Sequence, residues 1–146
     1  MTLTSASIGQ RLKAAGPATE DLDAVWHALW RQPHIPAATL ELCRLLLARR
    51  HQAEAELALR MPEARIPEDK IAALIADRWA SDPRFTEADR AALDFTDYFH
   101  VDSQSIPDEV ADAVIRHFGE NGLVALIEGL SFTDGRLRLA LVFQGL

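Results

Sequence analysis

Four polar residues between positions 41 and 60 have side chains suited to catalysis or binding: Glu41, His51, Glu56 and Arg60. Glu56 and Arg60 are four residues apart, a spacing that places both side chains on one face of a helix. One interpretation is an exposed ion pair worth about 0.3–0.5 kcal/mol. The other is a pocket in which the planar guanidinium of Arg60 binds a substrate carboxylate while a neighbouring carboxylate serves as acid or base.

Glu41 lies in a mostly apolar segment, residues 40–47. A carboxylate on a buried helix face is unfavourable unless it has a partner. Three alternatives follow: Glu41 pairs with Arg44 or Arg60, it has a raised pKa and transfers protons, or it faces solvent. His51 follows the same segment and either joins the site or favours the negative end of the helix dipole. We predict that Glu41, Glu56 and His51 are catalytic and that Arg60 binds substrate.

The sulfur and histidine content limits the redox and metal chemistry of the chain. Cys43 is the single cysteine, so an intrachain disulfide or thiolate metal cluster is impossible. Its apolar neighbours favour a buried thiol that packs as a small hydrophobic group. A proline-bounded turn separates His27 from His34, His100 and His117 belong to different predicted helices, and no H-E-x-x-H motif occurs. We therefore predict no metal site and no cofactor.

The composition excludes two classes of partner. Of the 146 residues, 49% are hydrophobic and 25% are charged, with a net charge of −7, which is typical of a folded acidic domain. Binding to nucleic acid depends on clustered Lys and Arg, so that partner is not expected. No apolar run approaches the roughly 20 residues that span a bilayer, and residues 1–10 lack the pattern of a secretory signal. We expect no membrane association and a cytoplasmic location.

The hydrophobic spacing predicts an all-α fold with six to seven helices. Residues 1–17 are expected to form a loosely held, flexible arm, and residues 18–146 a single helical domain. Glycine, proline and capping signals set the helix limits. The predicted helices are Ile8–Ala15 (short), Glu20–Gln32, Pro36–Arg50, Gln52–Met61, one from Pro67, one from a capping box at Thr86–Asp89 to His100, one from Pro107 to before Gly119, and one from about Asn121 to Phe143. Gly129 and Gly135 are expected to kink or interrupt the last helix.

The order of these elements resembles the carboxymuconolactone decarboxylase/alkylhydroperoxidase D family over about residues 20–145. Each similar segment is short, and their order is more specific than any one of them. The segments are Glu41–Ala48, Pro67–Leu74, Phe85–Leu93, Ile106–Val110 and Phe118–Leu126. The resemblance implies an alkylhydroperoxidase D-like helical bundle.

Peroxidases of that family carry a glutamate, eleven residues, Cys-x-x-Cys, three residues and a histidine. In this chain the glutamate is Glu41, the cysteine positions hold Ala53 and Glu56, and the histidine position holds Arg60. Reduction of a peroxide by a dithiol needs a thiolate and a second, resolving thiol. Thiol peroxidase activity is therefore excluded, since Cys43 lies on the preceding helix and has no second cysteine.

Decarboxylase-type members resemble this chain in lacking the cysteine pair and in having a glutamate at the position of Glu56. The resemblance implies acid–base chemistry on a small carboxylated or cyclic molecule, with decarboxylation, lactone chemistry or isomerisation as outcomes. Those members retain the histidine that Arg60 replaces, and with it a proton carrier suited to neutral pH. The alternative is a catalytically degenerate relative that serves as an oligomeric or ligand-binding protein. The resemblance also implies self-association as dimers, trimers or hexamers.

Overall fold

Seven α-helices make up the computed structural model, which describes residues 2–146. They are α1 (Ile8–Leu12, continued by a 3-10 turn at Lys13–Ala15), α2 (Ala18–Leu29), α3 (Ala37–Arg50), α4 (Glu54–Ala58), α5 (Glu68–Ile75), α6 (Glu87–Val101) and α7 (Asp108–Gln144). Residues 2–146 contain no β-strand, so the predicted all-α fold is confirmed. Within the same range, no helix combines the length and the apolar character needed to cross a membrane.

The helix starts follow local signals in the sequence. Pro36, Pro67 and Pro107 each stand directly before a helix, where the missing N–H is not needed. The capping box at the start of α6 is formed: Thr86 Oγ1 accepts from the backbone N–H of Asp89, and Asp89 Oδ2 accepts from that of Thr86, both at 3.0 Å. These starts agree with the prediction to within about one residue.

Helix α3 occupies the centre of the molecule and packs against α4, α5, α6 and α7. Every residue from Thr39 to Ala48 is buried, as expected for a helix that is apolar on most of its circumference. Cys43 is fully buried in this helix, and burial raises the pKa of its thiol to about 12. The predicted buried cysteine is confirmed.

The N-terminal segment packs against α7, a contact that the sequence did not predict for the expected loosely held arm. Ser5 and Ile8 are fully buried. Arg136 of α7 donates from Nε to the backbone carbonyl oxygen of Ser5 at 2.7 Å. Ser5 and Ile8 therefore belong to the packed interior, whereas Ala6 between them is exposed.

Gly119 divides α7 into two parts. Its backbone, with φ 78° and ψ 174°, lies in a region that is essentially restricted to glycine. The predicted helix end at Gly119 is thus confirmed. The expected interruptions at Gly129 and Gly135 are wrong, since both keep helical geometry. A Cβ on Gly129 would lie 2.8 Å from Leu40 Cδ1, so this glycine lets α7 approach α3 closely.

Two alanine substitutions in α7 are expected to change stability in opposite directions. Gly119→Ala should lower the free energy of unfolding by about 1–3 kcal/mol, since alanine is strained at this φ. Gly135→Ala is the matched control: a Cβ there meets nothing within 4 Å, so better helix propensity should raise stability by up to about 1 kcal/mol. Urea unfolding of both variants measures the difference. Equal effects would contradict the assigned backbone geometry.

Candidate functional site

Arg44 is the centre of a buried polar network. Its guanidinium is fully shielded from solvent, and all five of its N–H groups have acceptors. Nε and one N–H of Nη2 donate to the two carboxylate oxygens of Glu41. Nη1 donates to both Glu56 Oε2 and the Glu56 carbonyl oxygen at 3.0 Å, and Nη2 donates to the Leu59 carbonyl oxygen at 2.8 Å. Complete pairing is what allows a charged group to be buried.

Two buried carboxylates share this one guanidinium. Glu41 pairs with Arg44 through both of its oxygens, so the structure selects Arg44 from the partners considered for Glu41 and rejects a solvent-facing position. Glu56 has a further partner in Ser5, whose backbone N–H donates to Oε1 and whose hydroxyl donates to Oε2 at 2.7 Å. One guanidinium thus serves two carboxyl groups, and the Ser5 donors supply further hydrogen bonds to Glu56.

The expected ion pair between Glu56 and Arg60 is not formed. Helix α4 is shorter than predicted and ends at Ala58, because Leu59 has extended backbone geometry. Arg60 therefore turns away and forms a bidentate pair with Glu68, at 2.9 and 3.2 Å. It also donates to the carbonyl oxygens of Leu57 and Leu59.

Glu41 and Arg60 nevertheless line the same cavity, which has a volume of about 220 Å³. Its walls combine charged and apolar groups: Glu41, Arg60, Met61, Pro62, Ala64, Arg65, Ile66, Glu68 and Ile71. Glu56 does not line it. It borders a separate cavity of about 290 Å³ under the N-terminal segment and the end of α7. Glu41 and Glu56 are joined through Arg44 and face different cavities.

His51 lies in a second polar cluster. It is seven residues after Arg44, about 10 Å further along the axis at 1.5 Å per residue. Its Nε2 is 2.8 Å from Asp134 Oδ1 in α7, and its ring packs edge-to-face on that of His100 in α6, with 4.8 Å between ring centroids. The structure therefore places His51 apart from the cavity of Glu41 and Arg60.

His100 and Asp134 have contrasting surroundings. Burial lowers the pKa of His100, and the neighbouring His51 lowers it further. Within residues 2–146, His100 Nδ1 is buried and has no hydrogen-bond partner. Asp134 has partners for both oxygens, since Arg138 Nε donates to Oδ2 at 2.7 Å. One ligand atom from each of His51, His100 and Asp134 lies within 4.8 Å of the other two.

Sequence reasoning missed the functional side chains that come from distant parts of the chain. Arg44 was considered only as a partner of Glu41, although its i,i+3 spacing was a usable signal. Ser5 is 51 residues from Glu56, and Asp134 is 83 residues from His51. No local pattern marks such contacts. Ligand spacing along a single helix does not reveal a cluster whose residues come from three helices.

No model of a known protein family matches the chain, and no curated protein matches it significantly. The resemblance to carboxymuconolactone decarboxylases accordingly stays a prediction.

Removing the central cation should destabilise the protein strongly. Arg44→Met leaves two buried carboxylates without their partner, and we expect the free energy of unfolding to fall by about 3–5 kcal/mol. Arg31→Met is the control, because Arg31 is exposed and has no carboxylate partner within residues 2–146; its expected effect is within about 0.5 kcal/mol. Chemical denaturation followed by circular dichroism gives both values. Similar losses in the two variants would refute the network.

Proposed function

We propose that the protein binds a small organic acid in the cavity between Glu41 and Arg60 and transfers a proton to or from it. The observation that carries the proposal is the placement of Glu41 and Arg60 on the walls of one cavity, whose other walls include the apolar residues Met61, Pro62, Ala64, Ile66 and Ile71 beside the charged Arg65 and Glu68. A pocket of that kind uses apolar surface for the carbon skeleton and a few polar groups for orientation. Its volume of about 220 Å³ suits a small molecule.

Arg60 is the anion-binding group of this proposal. Its present partner, Glu68, has a side chain that is 72% exposed, while that of Arg60 is 35% exposed. Exposed ion pairs contribute only about 0–1 kcal/mol, so a ligand carboxylate can replace Glu68 at little cost. The planar fork of the guanidinium then binds the ligand carboxylate through two parallel hydrogen bonds.

Glu41 is the acid–base group. It lies at the inner wall of the cavity, and its pairing with Arg44 fixes its orientation. A carboxyl group held near the reacting carbon can accept a proton from it or deliver one to it. Isomerisation uses both transfers, whereas decarboxylation needs a proton delivered to the carbanion that remains after CO₂ leaves. Glu56 is a positioning residue here, because it reaches the cavity only through Arg44. His51 lies about 10 Å along α3 from Arg44 and has no part in this step.

Ligand binding without catalysis is the second candidate function. One observation favours it: both oxygens of Glu41 accept hydrogen bonds from Arg44. A carboxylate whose two oxygens both accept hydrogen bonds is less able to take a proton from a ligand. The cavity can still bind a ligand carboxylate through Arg60. Membership of the carboxymuconolactone decarboxylase family is a further part of the proposal, supported by the all-helical fold and the quoted segments.

A thermal-shift screen with small cyclic and aromatic carboxylates tests ligand binding. A ligand that fits should raise the melting temperature of the wild type and of Arg31→Ala, an exposed control. Arg60→Ala should lose the shift, with binding weakened at least about tenfold, since a bidentate charge-assisted pair is removed. Equal shifts of the melting temperature in Arg60→Ala and the control would show that Arg60 does not bind the ligand carboxylate.

Catalysis is tested with any ligand found in that screen. In ²H₂O, the wild type should exchange a carbon-bound hydrogen of the ligand for deuterium, which NMR detects. Glu41→Gln should bind the ligand and lose the exchange. Exchange that survives this substitution would remove Glu41 from the proposal, whereas binding without exchange in the wild type would favour the second candidate.

Self-association is expected from the resemblance, and one face of α7 supports it. Val124 and Ile127, three residues apart on this helix, are 63% and 41% exposed. Light scattering after size-exclusion chromatography should give a mass of two, three or six copies. Val124→Glu should reduce it, whereas Val101→Glu, an exposed residue of α6, should not. A wild-type mass of 16.2 kDa would contradict the prediction.

A further inference from the structure

The cluster of His51, His100 and Asp134 is the strongest feature that the proposed function leaves unused. The three residues come from three different elements: the C-terminal cap of α3, the last turn of α6 and the second part of α7. These three helices pack against one another in the centre of the fold. Their positions are therefore determined by the core and not by a mobile loop.

We propose that His51, His100 and Asp134 bind one divalent transition-metal ion. Two imidazole nitrogens and one carboxylate oxygen form a ligand set that suits zinc, cobalt, nickel or ferrous iron, whereas calcium and magnesium prefer oxygen ligands alone. Three protein ligands also leave one position of a four-coordinate ion open to water.

The distances are close to those of a metal site. One ligand atom of each residue lies within 4.8 Å of the other two. In a tetrahedral site with bonds of about 2.0–2.1 Å, neighbouring ligand atoms are separated by about 3.3 Å. The contact of 2.8 Å between His51 Nε2 and Asp134 Oδ1 has to open by about half an ångström, and His100 has to move inwards.

The unpartnered nitrogen of His100 is a second, independent observation. A buried polar atom without a partner is rare in folded proteins and costs about 1–3 kcal/mol. His100 Nδ1 is such an atom within the described residues. A metal ion bound by Nδ1 would give this atom a strong interaction in place of that deficit.

The surrounding side chains orient Asp134 as a ligand. Asp134 Oδ1 faces His51, while Oδ2 accepts from Arg138, an arrangement that orients a ligating carboxylate. Asp97, one turn before His100, pairs with Arg50 and is a second carboxylate that acts on His100. Arg138 opposes the ion most directly, but its side chain is 58% exposed and can move into solvent.

Metal binding replaces the hydrogen bond between His51 and Asp134. His51 Nε2 and Asp134 Oδ1 are 2.8 Å apart, and the tautomer of the imidazole decides which of the two atoms carries the hydrogen. Coordination through Nε2 needs the tautomer in which this nitrogen has a free lone pair.

The test uses the full chain, prepared without a histidine tag and treated with a chelator. Calorimetric titration with Zn²⁺ should show one site per chain, and Co²⁺ should give the visible absorption of a tetrahedral ion. Mg²⁺ and Ca²⁺ should give no signal. His100→Gln and Asp134→Asn should each weaken Zn²⁺ binding at least about tenfold. His117→Gln, which changes an exposed histidine of α7 outside the cluster, should bind as the wild type does.

The controls separate this site from adventitious binding. Circular dichroism establishes that each variant is folded, and Asp134→Asn, which keeps the side-chain shape, replaces His100→Gln if the latter does not fold. Absence of saturable Zn²⁺ binding by the wild type would overturn the proposal. So would unchanged affinity in folded Asp134→Asn or loss of binding in His117→Gln. Arg60→Ala is expected to bind Zn²⁺ as the wild type does, because the metal site is separate from the organic-acid cavity.

Discussion

The candidate site depends on the buried ion pairs of the Arg44 guanidinium with Glu41 and Glu56. Desolvation of an isolated cation costs several kcal/mol, and it is tolerated only where the interior supplies the missing partners. Here they come from α3, α4 and the turn after α4, so one side chain determines how three consecutive parts of the chain meet. The same contacts hold Glu41 at the wall of the organic-acid cavity. The network is thus a structural support that also positions a reactive group.

The helix that carries Arg44 has two polar regions separated by about two turns. Glu41 and Arg44 lie near its middle, and His51 caps its C-terminal end. The first region is buried, and the N–H groups of its guanidinium are fully paired. The second is partly open to solvent, with side chains of His51 and Asp134 that are 15% and 12% exposed. Full pairing favours rigidity, whereas incomplete pairing leaves atoms available for a ligand, so the two regions are suited to different tasks.

Much of the fold was predictable from the sequence because its signals are local. The prolines before α3, α5 and α7 and the capping box of α6 each act within a few residues. Gly119 ends a helix because its own backbone angles lie outside the helical region, where glycine alone is unstrained. Gly129 shows the limit of this reasoning: its small size serves contact with Leu40 and does not interrupt the helix.

The candidate site was predictable only in part. Glu41 was recognised as a carboxylate in an apolar segment, but the choice between Arg44 and Arg60 depended on where α4 ends. An extended residue at Leu59 turns Arg60 away from Glu56, and no periodicity predicts such a change. Ser5, His100 and Asp134 could not be assigned at all, since tertiary packing brings them to their partners.

The contact between Ser5 and Arg136 has a consequence for the order in which the molecule assembles. It joins residues 131 positions apart, so it forms only after most of α7 has been synthesised. Until then Glu56 lacks the serine donors that help to satisfy its charge, and contacts of such separation tend to form late because loop closure is costly in entropy. The segment around Ser5 is thus expected to join the fold last, after the helices have packed against one another.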